Sequence, residues 1–146
     1  MQVVIFHNID DSAFFGYRSG QPVTPVFVYE SGARNETIVL NEAFDLFNIG
    51  GGPTSQAYRA RRLRSLSVGD VVRAGDQFFA VARLGFSEVS FASAKILLGE
   101  EAERVIRARY QITDREPLAI TVPLPRLLAD RAGIAQAPPA AARDSG

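Results

Sequence analysis

The apolar residues of this chain fall into short blocks, and their spacing passes from continuous to alternating to helical along the sequence. Val3-Val4-Ile5-Phe6 is an unbroken β-branched and aromatic run, closed by Asn8 and the pair Asp10-Asp11. Residues 2–7 therefore read as a short buried strand near the centre of a sheet. Ala13-Phe14-Phe15-Gly16-Tyr17 and the turn-rich Arg18-Ser19-Gly20-Gln21-Pro22 come next, and the aromatics among them are expected to roof one end of the core, the alternative being a base-stacking platform. Residues 23–30 form a second strand, with Val26 and Val28 alternating with Phe27 and Tyr29. Pro25 cannot donate to a ladder, so it belongs at the beginning of that strand or on an edge.

The period then becomes helical. Val39, Leu40, Ala43, Phe44, Leu46 and Phe47 share one broad face while Asn41, Glu42, Asp45 and Asn48 occupy the other, which predicts an amphipathic helix over 37–49. Asn35 or Thr37 can cap it, Gly50 closes it, and Gly51-Gly52-Pro53 makes the exit irregular. Further on, Val71-Val72-Arg73 is a strand, Ala74-Gly75-Asp76-Gln77 a tight hairpin turn, and 78–84 the returning strand. Gly85 reads as a bulge, after which 86–90 resumes the extended pattern. Residues 91–98 read as a helix ended by Gly99. Glu100, Glu101 and Glu103 then open a helix that closes with Arg107 and Arg109, a charge order that complements the helix dipole, with Ala102, Val105, Ile106 and Tyr110 as its apolar side. A last strand at 117–122, a short helix at 125–132 and a disordered end from Gln136 complete the expected order.

The predicted fold class is α+β: a small, mostly antiparallel sheet or partly open β-barrel, a packed amphipathic helix and a C-terminal helical extension. The predicted organisation is a domain at 1–98, an extension packed on it at 99–135 and a tail at 136–146.

Composition narrows the function classes. A chain of 146 residues with 47% hydrophobic and 22% charged residues has room for one ordinary core. Sixteen basic and sixteen acidic side chains cancel, so no global field draws it to nucleic acid or to an anionic membrane, and an electrostatic partner must be met locally. The absence of cysteine removes disulfides, thiolate zinc sites and cysteine nucleophiles. No apolar run reaches the roughly 18 residues that span a bilayer. Met1 to Phe6 lack the basic start and the length of a signal peptide, so the expected compartment is the cytoplasm.

The local patch is Arg59, Arg61, Arg62 and Arg64. No acidic residue lies between Asp45 and Asp70, and the patch stands out in an otherwise neutral chain. At 100° per residue the four guanidinium groups would point all round a helix, and on a strand they would divide between both faces, so neither geometry makes the single stripe of a duplex binder. Tyr58, four residues before Arg62, could add stacking. The alternative is a solvated loop with arginine stems packed on apolar neighbours. Other candidates carry less chemistry. His7, the only histidine, lies near Asp10, Asp11 and Ser12, but neighbours on one strand cannot converge as a metal site or a triad, so a satisfied ring and turn-forming aspartates are expected. Gly50-Gly51-Gly52 lacks the following Gly-Lys-Ser/Thr of a phosphate loop. Ser65 and Ser67 read as turn residues. No catalytic residue, metal or cofactor is assigned.

Arg64-Ser65-Leu66-Ser67-Val68-Gly69-Asp70-Val71-Val72, with Leu84-Gly85-Phe86 beyond it, resembles the YodL-like domain family. Val4-Ile5-Phe6-His7-Asn8 and Phe15-Gly16-Tyr17 are also similar to small uncharacterised actinobacterial proteins sharing that core, so the resemblance spans roughly residues 1–90. It implies a setting in phages, plasmids or other mobile elements, and no catalytic residues. Val68-Gly69-Asp70 leading into a hairpin is similar to the ASCH and PUA-like barrels, which implies RNA or nucleoside binding. Lys95 does not stand where the catalytic lysine of ASCH-type hydrolases would.

Three functional expectations follow. The first is a non-enzymatic accessory module that binds nucleic acid, a nucleic-acid-handling protein or an acidic protein surface through an Arg-rich loop, with Tyr58, Arg59, Arg61, Arg62, Arg64, Ser65 and Ser67 as the contacting residues. The second is a protein-interaction or homodimerisation module built on the C-terminal elements. The third is an ASCH-like hydrolase of RNA or a nucleoside, which requires Ser67, Asp70 and Arg64 to line one pocket.

Overall fold

A computed structural model of the protein describes residues 1–91, 94–114, 118 and 120–123. Six strands form one sheet in the order β5-β4-β3-β1-β2-β6, curled into a half-barrel, with three α-helices around it. The strands are β1 (Gln2–Asn8), β2 (Pro22–Glu30), β3 (Val71–Ala74), β4 (Gln77–Val81), β5 (Phe86–Val89) and β6 (Lys95–Ile96). All pairings are antiparallel except the short β2–β6 contact. The predicted α+β class and mostly antiparallel, partly open barrel are what the chain adopts.

β1 lies at the centre, and the two-residue alternation of a strand sends its side chains into two cores. Val3 and Ile5 join Val72, Ala74, Phe47, Tyr58 and Leu66 on one face, whereas Val4 and Phe6 join Val23, Val71, Ala80 and Phe91 on the other. Burial on both faces is why the strand is an uninterrupted apolar run. Between Ile5 and Phe6 the register to β2 slips, so that Phe6 faces Pro25. Pro25 is thus inside β2 at an irregularity. Its outer side lies beyond β6, which reaches only Pro22 and Val23.

Helix α1 (Glu36–Phe44) continues through a wide π turn at Asp45–Ile49. The Asn35 side chain accepts from Ile38 N at 3.2 Å, and Gly50 ends the run at φ 97°, as the helical period predicted. The glycines that follow are not a loop: α2 (Gly52–Ala60) starts within them, because Pro53 at the first turn is preset for helix and lacks only an N–H that would have been orphaned. Tyr58 and Arg59 therefore belong to a helix, and only 61–67 is loop.

Three further expectations are corrected. Residues 82–85 make a turn closed by Ala82 N to Gly85 O at 2.9 Å, so Gly85 sits in a hairpin between β4 and β5 rather than in a bulge. Lys95 and Ile96 are strand, not helix: Leu97 N continues the pairing to Val23 O at 2.9 Å. Phe14 and Phe15 do not roof the core. They occupy a short 3₁₀ turn at Ala13–Phe15 and are 65% and 67% exposed, and of these aromatics only Tyr17 packs inward, on Phe91.

Helix α3 (Gly99–Tyr110) has the predicted acidic start and basic end and buries Ala102 and Ile106 against Ile9 and Leu97. Residues 120–122 run beside β2 without forming a strand, held by Val122 N to Pro25 O at 2.8 Å and by the Thr24–Thr121 hydroxyl pair at 2.6 Å. The helix expected at 125–132 and the tail from Gln136 lie outside the described residues. Among the described residues no helix is long and apolar enough to cross a membrane.

Candidate binding site beside Arg62 and Arg64

The basic cluster folds around one carboxylate. Asp70 is fully buried, and each of its oxygens accepts two hydrogen bonds: Oδ1 from Asn8 N at 2.9 Å and Arg64 at 2.7 Å, Oδ2 from Arg64 at 2.7 Å and Ser67 N at 2.8 Å. Gly69 makes the turn possible. Its φ is 94°, and a Cβ there would run into the carbonyl oxygen of Ala13, so the 3₁₀ turn carrying Phe14 and Phe15 is seated directly on it. The Asn8 amide donates to Gln21 Oε1 and Gly69 O, and its own oxygen takes Asp10 N, which ties the end of β1 to both turns. Burial opposes the charge on Arg64, but the Asp70 carboxylate outweighs it and holds the guanidinium pKa above its ordinary value.

The other arginines have different fates. Arg61 reaches back to the carbonyls of Val26 and Ile120, the latter at 2.7 Å, and Arg59 donates to Ile49 O at 3.0 Å. Arg62 adopts φ 59° and is exposed, and its guanidinium has no hydrogen-bond or ion-pair partner among the described residues. Tyr58 is buried rather than available for stacking, with its ring 4.3 Å from that of Phe47. Ser65 and Ser67 are exposed, and the Ser67 hydroxyl donates to Ser65 O at 3.2 Å. The seven predicted contact residues thus sit near one corner but divide: Tyr58 is core, Arg59, Arg61 and Arg64 tether the chain, and Arg62, Ser65 and Ser67 face outward.

A cavity of about 260 Å³ opens beside this corner. Its walls are Ile9, Leu63, Ile106, Ile112 and Ile120, with His7, Arg62, Arg64 and Tyr110 as the polar groups and no carboxylate among them. Of the hydrolase trio only Arg64 lines it. Ser67 and Asp70 do not, and both Asp70 oxygens are already saturated.

His7 is the residue whose role the sequence hid. Its Nε2 is 2.8 Å from the Tyr58 hydroxyl, which itself donates to Arg64 O at 2.7 Å. Burial lowers the His7 pKa to about 4, with Arg64 and Arg61 adding to the fall against the opposing pull of Asp70, so the ring is neutral at pH 7. The same burial raises the Tyr58 pKa. From α3 Arg109, outside the cavity lining, donates to Asn8 O at 3.0 Å and lies 5.0 Å over the ring of Tyr110, a half-exposed lining residue. Nothing in the sequence marked Asn8, Arg109 or Tyr110 as neighbours of the cluster, since they are brought to it by strand order and by the docking of α3.

No family model, no curated protein and no solved structure matches this chain. The shape of the corner must carry the functional reading.

Proposed function

We propose that the protein is a non-enzymatic binding module for single-stranded nucleic acid, working at the end of the sheet where the 61–67 loop meets the Phe14–Phe15 turn. One juxtaposition carries this reading. Two exposed aromatic rings, 4.1 Å apart, ride on the 3₁₀ turn seated against Gly69, and the next residue, Asp70, anchors Arg64 two positions along the chain from Arg62, whose guanidinium has no partner among the described residues. Exposed rings together with a cation that has no partner among the described residues suit unpaired bases and a phosphate, since base stacking tolerates any sequence and needs no basic stripe. A duplex binder would neutralise many phosphates, whereas most of this cluster is occupied internally. The resemblance of residues 64–72 to the YodL-like core agrees with a role in a phage, plasmid or other mobile element.

Fluorescence anisotropy with the full chain and a labelled mixed-sequence oligoribonucleotide tests the proposal. Binding should weaken by about tenfold for Phe14→Ala with Phe15→Ala, in line with the 1–3 kcal/mol of a stacked base, and the salt slope should be near one rather than four. Binding of the double variant at wild-type strength, or no binding by the native protein, overturns it.

A second reading has its own observation. Leu84, 95% exposed at the tip of the β4–β5 hairpin, lies one residue from Arg83 and Gly85, which with Phe44 line a surface groove. An apolar tip of this kind suits a protein partner or a second copy of the chain. Light scattering of the native protein and of Leu84→Glu separates the cases: a dimer lost in the variant supports this surface, and a monomer in both counts against self-association.

A further inference from the structure

We infer that the cavity beside Arg62 holds the base of one nucleotide, with an N–H of the base donating to His7 Nδ1 and the phosphate meeting Arg62. This rests on the nucleotide-binding reading above and adds a specific pocket to it.

The proton count at His7 is the first support. Arg64 O can only accept, so the single Tyr58 hydroxyl proton points to it. The Tyr58 oxygen must then accept from His7, which fixes the ring as the Nε2–H tautomer and leaves a lone pair on Nδ1. Among the described residues nothing donates to that nitrogen. His7 is a buried residue that lines the cavity, and Nδ1 is not among the fully enclosed atoms that lack a partner, so this acceptor opens to space from which a ligand can donate to it.

The walls narrow the ligand. A purely aliphatic guest would leave Nδ1 unsatisfied, at the cost of a desolvated acceptor. A cation would find no carboxylate among the described lining residues, and a bare inorganic anion would leave Leu63, Ile106 and Ile120 in contact with water. A nucleobase has flat faces for those side chains and for the ring of Tyr110, and an N–H edge for Nδ1. Its phosphate supplies the anionic partner that Arg62 lacks among the described residues. The cavity volume of about 260 Å³ lies just under the roughly 300 Å³ at which pockets for drug-sized ligands begin, which suits a single base better than a larger cofactor.

Because His7 is the only histidine, its ring nitrogens can be followed without substitution in the ¹⁵N-labelled full chain. The ligand-free spectrum should show Nε2 protonated and Nδ1 bare. Titration with each of the four ribonucleoside 5′-monophosphates, or with a mixed single-stranded oligoribonucleotide, should move the Nδ1 resonance saturably toward a hydrogen-bonded value. Arg62→Ala should weaken that binding about tenfold, and ribose 5-phosphate, which lacks a base, should bind at least about tenfold more weakly than the monophosphates. A shift with monophosphates points to a free nucleotide as the ligand, and a shift with the oligonucleotide alone points to a strand; either supports the pocket. An Nδ1 that is protonated from the start, or that does not move at saturation, overturns the pocket while leaving strand binding by anisotropy intact. Failure of every nucleotide and oligonucleotide to bind removes both readings.

Discussion

On one side of Arg64 lies the Asp70 corner and on the other the cavity, and the two differ in how many of their polar groups have partners. Both Asp70 oxygens accept two hydrogen bonds each, at 2.7 to 2.9 Å, and the Asn8 amide is used at both ends. A few ångströms of chain away, Arg62 and His7 Nδ1 have no partner among the described residues. Saturated buried polar groups fix a conformation, whereas unsatisfied ones beside open space are poised for something else. The Asp70 side of the cluster is structural, and the proposed binding falls to the side where Arg62 and His7 Nδ1 lie.

The largest expected effect lies on the saturated side. Asp70→Ala strips Arg64 of its partner and leaves the amides of Asn8 and Ser67 without acceptors. Chemical denaturation should show a loss of about 3 kcal/mol, the low end for a broken buried pair because the Arg64 side chain is 35% exposed. A loss under about 1 kcal/mol would mean that the corner is not the anchor it looks like.

Next comes the pH response of the wall between the two regions. The unfolded chain protonates His7 near 6.5 and the folded one only near 4. Between those values the unfolded state binds more protons, so stability is intact above about 6.5, falls as the pH falls, and has lost the His7 contribution at about 4. That contribution is about 3 kcal/mol at most. Denaturation midpoints across this window check it, and a flat profile would contradict the buried neutral ring.

Tyr58→Phe is smaller. It deletes the hydroxyl that bridges His7 and Arg64 O, so about 1–2 kcal/mol of stability should go, and the His7 tautomer should no longer be fixed, a change visible in its nitrogen spectrum. The smallest effect belongs to the free cation. Arg62→Ala should leave stability within about 0.5 kcal/mol of wild type while weakening oligonucleotide binding. A marked loss of stability there would erase the contrast between the two regions.

Several features of the fold were legible in the sequence. The helical period at Val39, Leu40, Ala43 and Phe47 found α1, and the charge order from Glu100 to Arg109 found α3. The Arg-rich stretch drew attention to the corner where Asp70 is buried. What the sequence hid is which arginines are spent: four identical side chains within six residues have identical propensities, and only the position of a carboxylate and of five carbonyls separates Arg62 from Arg59, Arg61 and Arg64. Phe14 and Phe15 misled in the opposite sense. Hydrophobicity predicts burial, but a 3₁₀ turn pinned on Gly69 holds both rings in solvent.

By itself the sequence determined the longer strands, because runs such as Val3 to Phe6 bury apolar area on both faces of a sheet whatever their neighbours are. It determined the helices where period and caps agreed, as at Asn35 and Gly50. Only the tertiary structure decided the chemistry of the corner. Hydrogen bonds between residues 51 and 62 positions apart, His7 to Tyr58 and Asn8 to Asp70, depend on the order of strands in the sheet. Local propensity has no term for such pairs, and it is they that leave one nitrogen and one guanidinium at a cavity with nothing to hold.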